Sequence, residues 1–239
     1  MSTTWAIVPA RSGSKGYPGK NVATVAGVPL LAHSINFAKK LSFIDRVILS
    51  TDSADYASVG EQYGADVPFL RGAEASMDFS MEEDILEDFR VKCERENIPL
   101  PTNVLWLRPT HPLRDIQTFE SAYKKFSTGQ YSSVCVVTPE DPRVFFDQDG
   151  LLSPSIKNFE QRSMVRRQDC PPAYRIFGGE IFPFPRAFDP LFLGNRVAFE
   201  LASKFCKFDI DYEEDLAYLN YLTATTGGAQ RLSGLLHPD

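Results

Sequence analysis

The sequence predicts an α/β fold with three layers and a mostly parallel central sheet, and three observations predict it. Apolar or β-branched runs of strand length recur at Trp5–Val8, Arg46–Thr51, Asn103–Leu107 and Ser133–Thr138. Segments with apolar residues at helical spacing separate them, at Pro29–Leu41, Glu83–Asn97 and Ile116–Phe126. The first run carries no polar residue, as expected of a strand buried on both faces of a parallel sheet. Alternation of this kind leads to a sheet covered by helices. With 239 residues, 43% hydrophobic, the chain can bury one large core, and no linker divides it, so residues 1–239 read as one domain.

The first strand leads into Pro9–Asn21, which holds three cations, three glycines and two serines in thirteen residues. Glycines let successive backbone N–H groups converge on an anion, and Arg11, Lys15 and Lys20 supply full charges. Neither common phosphate loop matches. A Walker loop needs Gly, four residues, then Gly-Lys-Ser/Thr, whereas Gly13 to Gly19 has another spacing and Asn21 follows Lys20. The dinucleotide fingerprint fails as well. A solvated basic loop is the alternative to an anion site.

In the helix predicted over Pro29–Leu41, Leu30, Leu31, Ile35, Phe37, Ala38 and Leu41 would face the sheet, and His33 reads as a core or helix-surface histidine. The second strand ends at Thr51-Asp52-Ser53, where Asp52 reads as part of a helix cap. Val67–Leu70 reads as a short strand delivering Arg71. After Ser133–Thr138 the pattern changes: arginines cluster at 143, 162, 166, 167 and 175, and Asp147 to Gly150 signals a turn. This predicts an excursion from the main sheet at about 140–178, built on a β-hairpin around Gly150. Lys204–Asp211 alternates like a strand, which would place Asp209 and Asp211 on one face and Ile210 in the core. Two such carboxylates repel unless a cation lies between them, and Mg²⁺ shared with phosphates suits them; a capping pair before the helix predicted at Glu213–Leu222 is the alternative. Beyond Gly227 the tail reads as irregular and mobile.

Composition excludes several classes. A net charge of −6 argues against nucleic-acid or anionic-membrane partners. Cys93, Cys135, Cys170 and Cys206 are far apart and form neither a zinc motif nor a disulfide framework. With no leader pattern and no membrane-length apolar stretch, a reduced cytoplasmic protein is expected.

The run Val8-Pro-Ala-Arg11-Ser-Gly-Ser14-Lys15-Gly-Tyr-Pro18-Gly-Lys20-Asn21 resembles the signature of the acylneuraminate cytidylyltransferases, approximately Ala-Arg-x-x-Ser-Lys-Gly-x-Pro-x-Lys-Asn. The resemblance implies a Rossmann-like nucleotidyltransferase that binds CTP and Mg²⁺, moves CMP to a 2-keto-3-deoxy sugar acid with release of pyrophosphate, and forms a homodimer through the excursion. Other stretches support it. Arg71 and Asp78 match a family stretch lying over the base, although Gly72 replaces proline and Glu82 stands where serine is usual. A carboxylate at 82 can accept from cytosine or from guanine, or can be a solvated first-turn residue. In Arg108-Pro-Thr110-His111-Pro-Leu-Arg114, Arg108 replaces a glutamine near the acceptor sugar. Either the acceptor is more acidic, a sugar phosphate for instance, or Arg108 pairs with an internal carboxylate. His111 reads as a structural turn residue. Arg167-Gln168 through Tyr174-Arg175 matches closely, and Phe177 replaces an amide-bearing residue, which implies an acceptor other than N-acetylneuraminate.

Carried over residue by residue, the resemblance makes Arg11, Lys20, Asp209 and Asp211 catalytic, the two aspartates being the metal ligands. Nucleotide binding falls to Arg11, Ser14, Lys15, Lys20, Asn21, Arg71, Ser80 and Glu82, and acceptor binding to Arg108, Thr110, Arg167, Arg175 and Phe177. Two other functions stay open: a CTP- or GTP-dependent enzyme acting on another acidic acceptor, and a non-catalytic nucleotide-binding protein.

Overall fold

The computed structural model describes residues 2–14, 16–155, 166–184 and 193–237. In chain order it contains β1 (Thr4–Pro9), β2 (Thr24–Val25), β3 (Val28–Pro29), α1 (Leu30–Lys39), β4 (Arg46–Ser50), α2 (Ala54–Gln62), α3 (Glu82–Arg95), β5 (Asn103–Trp106) and α4 (Ile116–Phe126). There follow β6 (Ser133–Glu140), β7 (Phe145–Gln148), β8 (Leu151–Pro154), β9 (Ala173–Pro183), β10 (Val197–Leu201), α5 (Glu213–Ala224) and α6 (Thr226–Leu232).

Six strands form the main sheet in the order β10-β6-β9-β5-β1-β4. β1 pairs in parallel with both β4 and β5, and β10 with β6, whereas β9 runs antiparallel to both of its neighbours. Strand alternation sends Ala6 and Val8 of β1 to one face, against α1 and α4, and Trp5 and Ile7 to the other, against Ile85, Leu86 and Phe89 of α3. These are the predicted helical layers. A third apolar cluster, with Val25, Leu113, Ile210, Leu216 and Leu232, ties the C-terminal helices to the start of α1.

The chain passes from β1 to β4 on one side and later returns to β5 on the other, and a crevice opens beyond the carboxyl ends of these strands. The loops after β1 and β5 both emerge there.

Several expectations are corrected. Lys204–Asp211 is not a strand: Lys204–Lys207 is a 3₁₀ turn, capped by Ser203, and an irregular run carries Asp209 to Asp211. The sixth strand is instead β10, which shows exposed and half-buried residues in alternation. Ile210 is nonetheless in the core. Val67–Leu70 reduces to one parallel bridge between Ile48 and Asp66, since Pro68 has no N–H for a ladder. The tail beyond Gly227 is ordered in α6, Leu232 and His237 being buried. Asp52 is not the cap of α2; Ser53 is, its side chain accepting from Tyr56 N. The hairpin forms as expected, with Asp149 at φ 55° and Gly150 at φ 81° in a tight Asp-Gly turn between β7 and β8.

Candidate active site

The crevice is a cleft of about 400 Å³. Pro9, Arg11, Ser14, Gly16, Lys20 and Asn21 line one wall, Arg71, Ala75, Met77, Ser80, Glu82 and Ile85 another, and Trp106, Arg108, Pro109 and Thr110 the floor, with Asp211 and Tyr212 closing it. Segments from four widely separated parts of the sequence thus meet at one sheet end.

The loop after β1 is held by hydrogen bonds and by Tyr17, which packs on the third apolar cluster. Asn21 Nδ2 donates to Arg11 O at 3.0 Å. Ser12 donates both its backbone N and its hydroxyl to the Asp52 carboxylate, at 2.8 and 3.0 Å. Gly19 has φ 75°, a left-handed conformation that lets the chain turn into Lys20. Gly16 lies so close to Asp211 O that a Cβ would approach it to 3.0 Å. Each of two loop cations faces a carboxylate: Arg11 Nη1 is 2.7 Å from Asp78 Oδ1, and Lys20 Nζ is 3.1 Å from Asp211 Oδ1. Lys15 lies outside the described residues.

On the far side, Asp209 Oδ2 is 3.5 Å from Arg175 Nη2, and its Oδ1 is 3.5 Å from His111 Nδ1. Burial, and after it the nearby charge of Asp211, raises the Asp209 carboxyl above its usual range. Burial also drives His111 down to about 3, helped by Arg114 and Arg108, so its imidazole is neutral. The structural reading of His111 agrees with this: it is a buried ring whose Nδ1 shares a hydrogen bond with Thr110 Oγ1 at 3.1 Å. Among the described residues no three His, Cys, Asp or Glu converge as a preformed metal cage.

Arg108 resolves one of the alternatives left open by the sequence. Its Nη1 lies 2.8 Å from each carboxylate oxygen of Glu180, and its Nη2 donates to Glu82 Oε1 at 2.6 Å. The guanidinium thus pairs with internal carboxylates. Glu180, on β9, is 1% exposed, and burial raises its carboxyl above the ordinary range against the opposing pull of Arg108. Arg71 is buried as well; its guanidinium donates to Ser50 O and Ala75 O and holds the turn that carries the cleft wall. Ser80 Oγ donates to Glu74 O at 2.6 Å.

Of the residues singled out from the sequence, Arg11, Ser14, Lys20, Asn21, Arg71, Ser80, Glu82, Arg108, Thr110 and Asp211 line the cleft. Asp209 and Arg175 are not among the lining residues; they pair with each other at 3.5 Å, and Asp209 hydrogen-bonds Thr110 of the floor. Arg167 is not brought to it; it lies exposed on a 3₁₀ turn, Arg167–Asp169. Of Phe177 only the backbone, within β9, is described. Sequence reasoning missed Glu180, placed Asp52 in a helix cap, and gave no site role to the fully buried Arg114, which donates to Gly178 O, Ser34 Oγ and Arg108 O and so shapes the floor. A lone glutamate between Gly179 and the apolar Ile181-Phe182 was a legible signal, since a buried strand carboxylate requires a partner.

Comparison with known proteins agrees with this geometry. A family model described as cytidylyltransferase matches residues 5–223. The CMP-N,N'-diacetyllegionaminic acid synthase of Legionella pneumophila is 36% identical over 177 residues, 72% of this chain and 74% of that protein. The pseudaminic acid cytidylyltransferase of Campylobacter jejuni is 30% identical over 224 residues, 90% and 94% of the two chains. A solved CMP:2-keto-3-deoxy-manno-octonic acid synthetase, complexed with CTP, superposes with a TM-score of 0.65 at 13% identity, covering 97% of this chain and 100% of that one, a likeness of fold. Since the family match runs from β1 through almost all of α5 and so takes in every wall of the cleft, the chain belongs to the cytidylyltransferase family and is a nucleotidyltransferase.

Proposed function

We propose that the protein transfers CMP from CTP to a sialic-acid-like 2-keto-3-deoxy sugar acid, releasing pyrophosphate. One observation carries the reading: Lys20 of the first loop and Asp211 of the late segment, 191 residues apart, meet at 3.1 Å inside a single cleft that Arg11 also lines. A polyphosphate entering it takes the place of Asp78 and Asp211 on these two cations, which then neutralise its oxygens. The acceptor hydroxyl, losing its proton to solvent, attacks the α-phosphorus in line, the bond to the bridging oxygen of the β-phosphate breaks, and pyrophosphate leaves with that electron pair. The names of the two curated relatives, both for nonulosonic acids, support the acceptor class.

Asp209 and Asp211 suit Mg²⁺, which usually takes one or two carboxylates together with substrate phosphates. The charge of Asp211 disfavours that of Asp209, a repulsion that a divalent cation relieves. When bound, the ion would supply positive charge at the transferring phosphoryl group. The reading includes a homodimer built on the β7–β8 hairpin, where Phe145, Phe146, Leu151 and Leu152 are exposed, and a cytoplasmic location, where CTP is available. In such a dimer Arg167 would serve the neighbouring subunit.

The pairing of Arg108 with Glu180 and Glu82 removes the main reason to expect a second anionic group on the acceptor. Pyrophosphate release from CTP with a nonulosonic acid tests the reading. Lys20→Ala and Asp209→Ala should each lower kcat/KM about 100-fold, corresponding to about 3 kcal/mol of transition-state stabilisation. Unchanged turnover in either variant would remove this mechanism.

A further inference from the structure

Three side chains run in series from the core to the cleft wall. Glu180 is the buried anchor, gripping Arg108 Nη1 with both oxygens at 2.8 Å. Arg108, held in that plane, donates Nη2 to Oε1 of Glu82 at 2.6 Å. Glu82, first residue of α3, lines the cleft with its side chain about a quarter exposed. Its Oε2 accepts no hydrogen bond from any described residue.

The corner that results is an acceptor and not an anion site. Two carboxylates flank one guanidinium. The neighbouring Arg114 adds no free cation, because its donors go to Gly178 O, Ser34 Oγ and Arg108 O. Of the described loop cations, Arg11 and Lys20 lie elsewhere, with Asp78 and Asp211. A nucleotide whose phosphates occupy that loop lays its nucleoside along the wall from Arg71 to Ile85, where Ala75, Ile85 and Pro109 offer apolar surface to a base.

We propose that Glu82 is the specificity-determining residue for the nucleoside: its Oε2 accepts from a ribose hydroxyl or from the exocyclic amino group of cytosine, and Arg108 and Glu180 are the positioning residues that aim it. This rests on the reading of the cleft as a CTP site. A carboxylate fixed at one oxygen presents the other without further ordering, which is the preorganisation that discrimination needs.

The test is equilibrium binding by calorimetry of CTP, 2′,3′-dideoxy-CTP and UTP, so that it reads apart from turnover. The wild-type protein should bind CTP about 10- to 100-fold more tightly than one of the two analogues, the range of a hydrogen bond to a charged group. Weak dideoxy-CTP binding marks the ribose hydroxyls as the donor, and weak UTP binding the amino group. Glu82→Gln should reduce that ratio about tenfold, and Arg108→Lys should reduce the same ratio, a change that loss of stability alone would not produce. Equal affinity of the wild type for all three nucleotides, or an unaltered ratio in Glu82→Gln, overturns the assignment, whereas absence of pyrophosphate release with intact CTP binding would strike only the proposed reaction. Because the buried Glu180→Gln change risks misfolding, the conclusion rests on the two cleft variants.

Discussion

Asp52 and Asp78 both touch the phosphate loop, and they should act in opposite directions. Asp52 accepts twice from Ser12 and holds the loop in its anion-facing shape. Asp52→Asn retains size but weakens both acceptances, so KM for CTP should rise about tenfold, as expected for one charge-assisted hydrogen bond, while the unfolding midpoint barely moves. Asp78 instead occupies Arg11. Both partners are partly exposed, so the pair itself contributes at most about 1 kcal/mol. Asp78→Asn should therefore tighten CTP and pyrophosphate binding up to about fivefold at low salt, with the gain fading as ionic strength rises. A looser affinity in this variant would mean that Asp78 assists the phosphates rather than standing in for them. Both aspartates were visible in the sequence. Their contacts were not, because the Ser12–Asp52 and Arg11–Asp78 pairs join residues 40 and 67 positions apart.

At the scale of elements, β9 is the piece on which the cleft depends most. It arrives from the excursion, runs antiparallel between β5 and β6, and carries Glu180 to the floor. Close packing at Gly179 makes this possible: a Cβ there would come within 2.6 Å of the Phe119 ring and 3.2 Å of Leu107. Gly179→Ala should destabilise the fold by about 1–3 kcal/mol by urea denaturation, the usual result of overpacking. Gly227→Ala, in α6 with nothing within 4 Å of the added atom, should be neutral or stabilising by up to about 1 kcal/mol. Equal effects at the two sites would argue against the tight β9–α4 contact. The C-terminal element shows the converse error of sequence reading. The tail beyond Gly227 reads as irregular, yet Thr225 Oγ1 accepts from Gly228 N at 3.2 Å and caps a real helix. Beyond it, His237 packs on Phe37 and shares a 2.8 Å hydrogen bond with Arg114 O. Local composition could not reveal a tail that is ordered by burial against a distant loop.

Across the whole molecule, the chain has three histidines and all of them are buried. His33 and His237 are held below the ordinary 6.5, in each case first by burial. The unfolded chain takes up protons at these rings as pH falls through 6.5, and the native state does not. Their contribution is therefore complete above pH 6.5 and is lost progressively as pH drops from 6.5 toward the folded values. Glu180 and Asp209, held above their ordinary values, act in the opposite sense at lower pH. Two measurements check this. The imidazole resonances of His33 and His237 should stay in the neutral form at pH 6, and a His237→Gln variant, although less stable at pH 7.5, should show a shallower loss of stability between pH 7 and 5.5 than the wild type. Protonation of both rings near 6.5 would contradict their burial.

The sequence by itself determined the layered architecture, the positions of β1, β4, β5, β6, α1, α3, α4 and α5, and the residues of opposite charge that the cleft brings together. These are encoded locally, in apolar periodicity, in glycines where the backbone must turn, and in residue types that suit phosphate. Tertiary structure alone decided that β9 enters the sheet antiparallel, that Asp209 and Asp211 sit on an irregular run, and that Arg108 is held between Glu180 and Glu82. The reason is physical: a charged side chain takes whichever partner the fold brings within about 3 Å, and the burial that strengthens or silences it comes from residues far away in the chain.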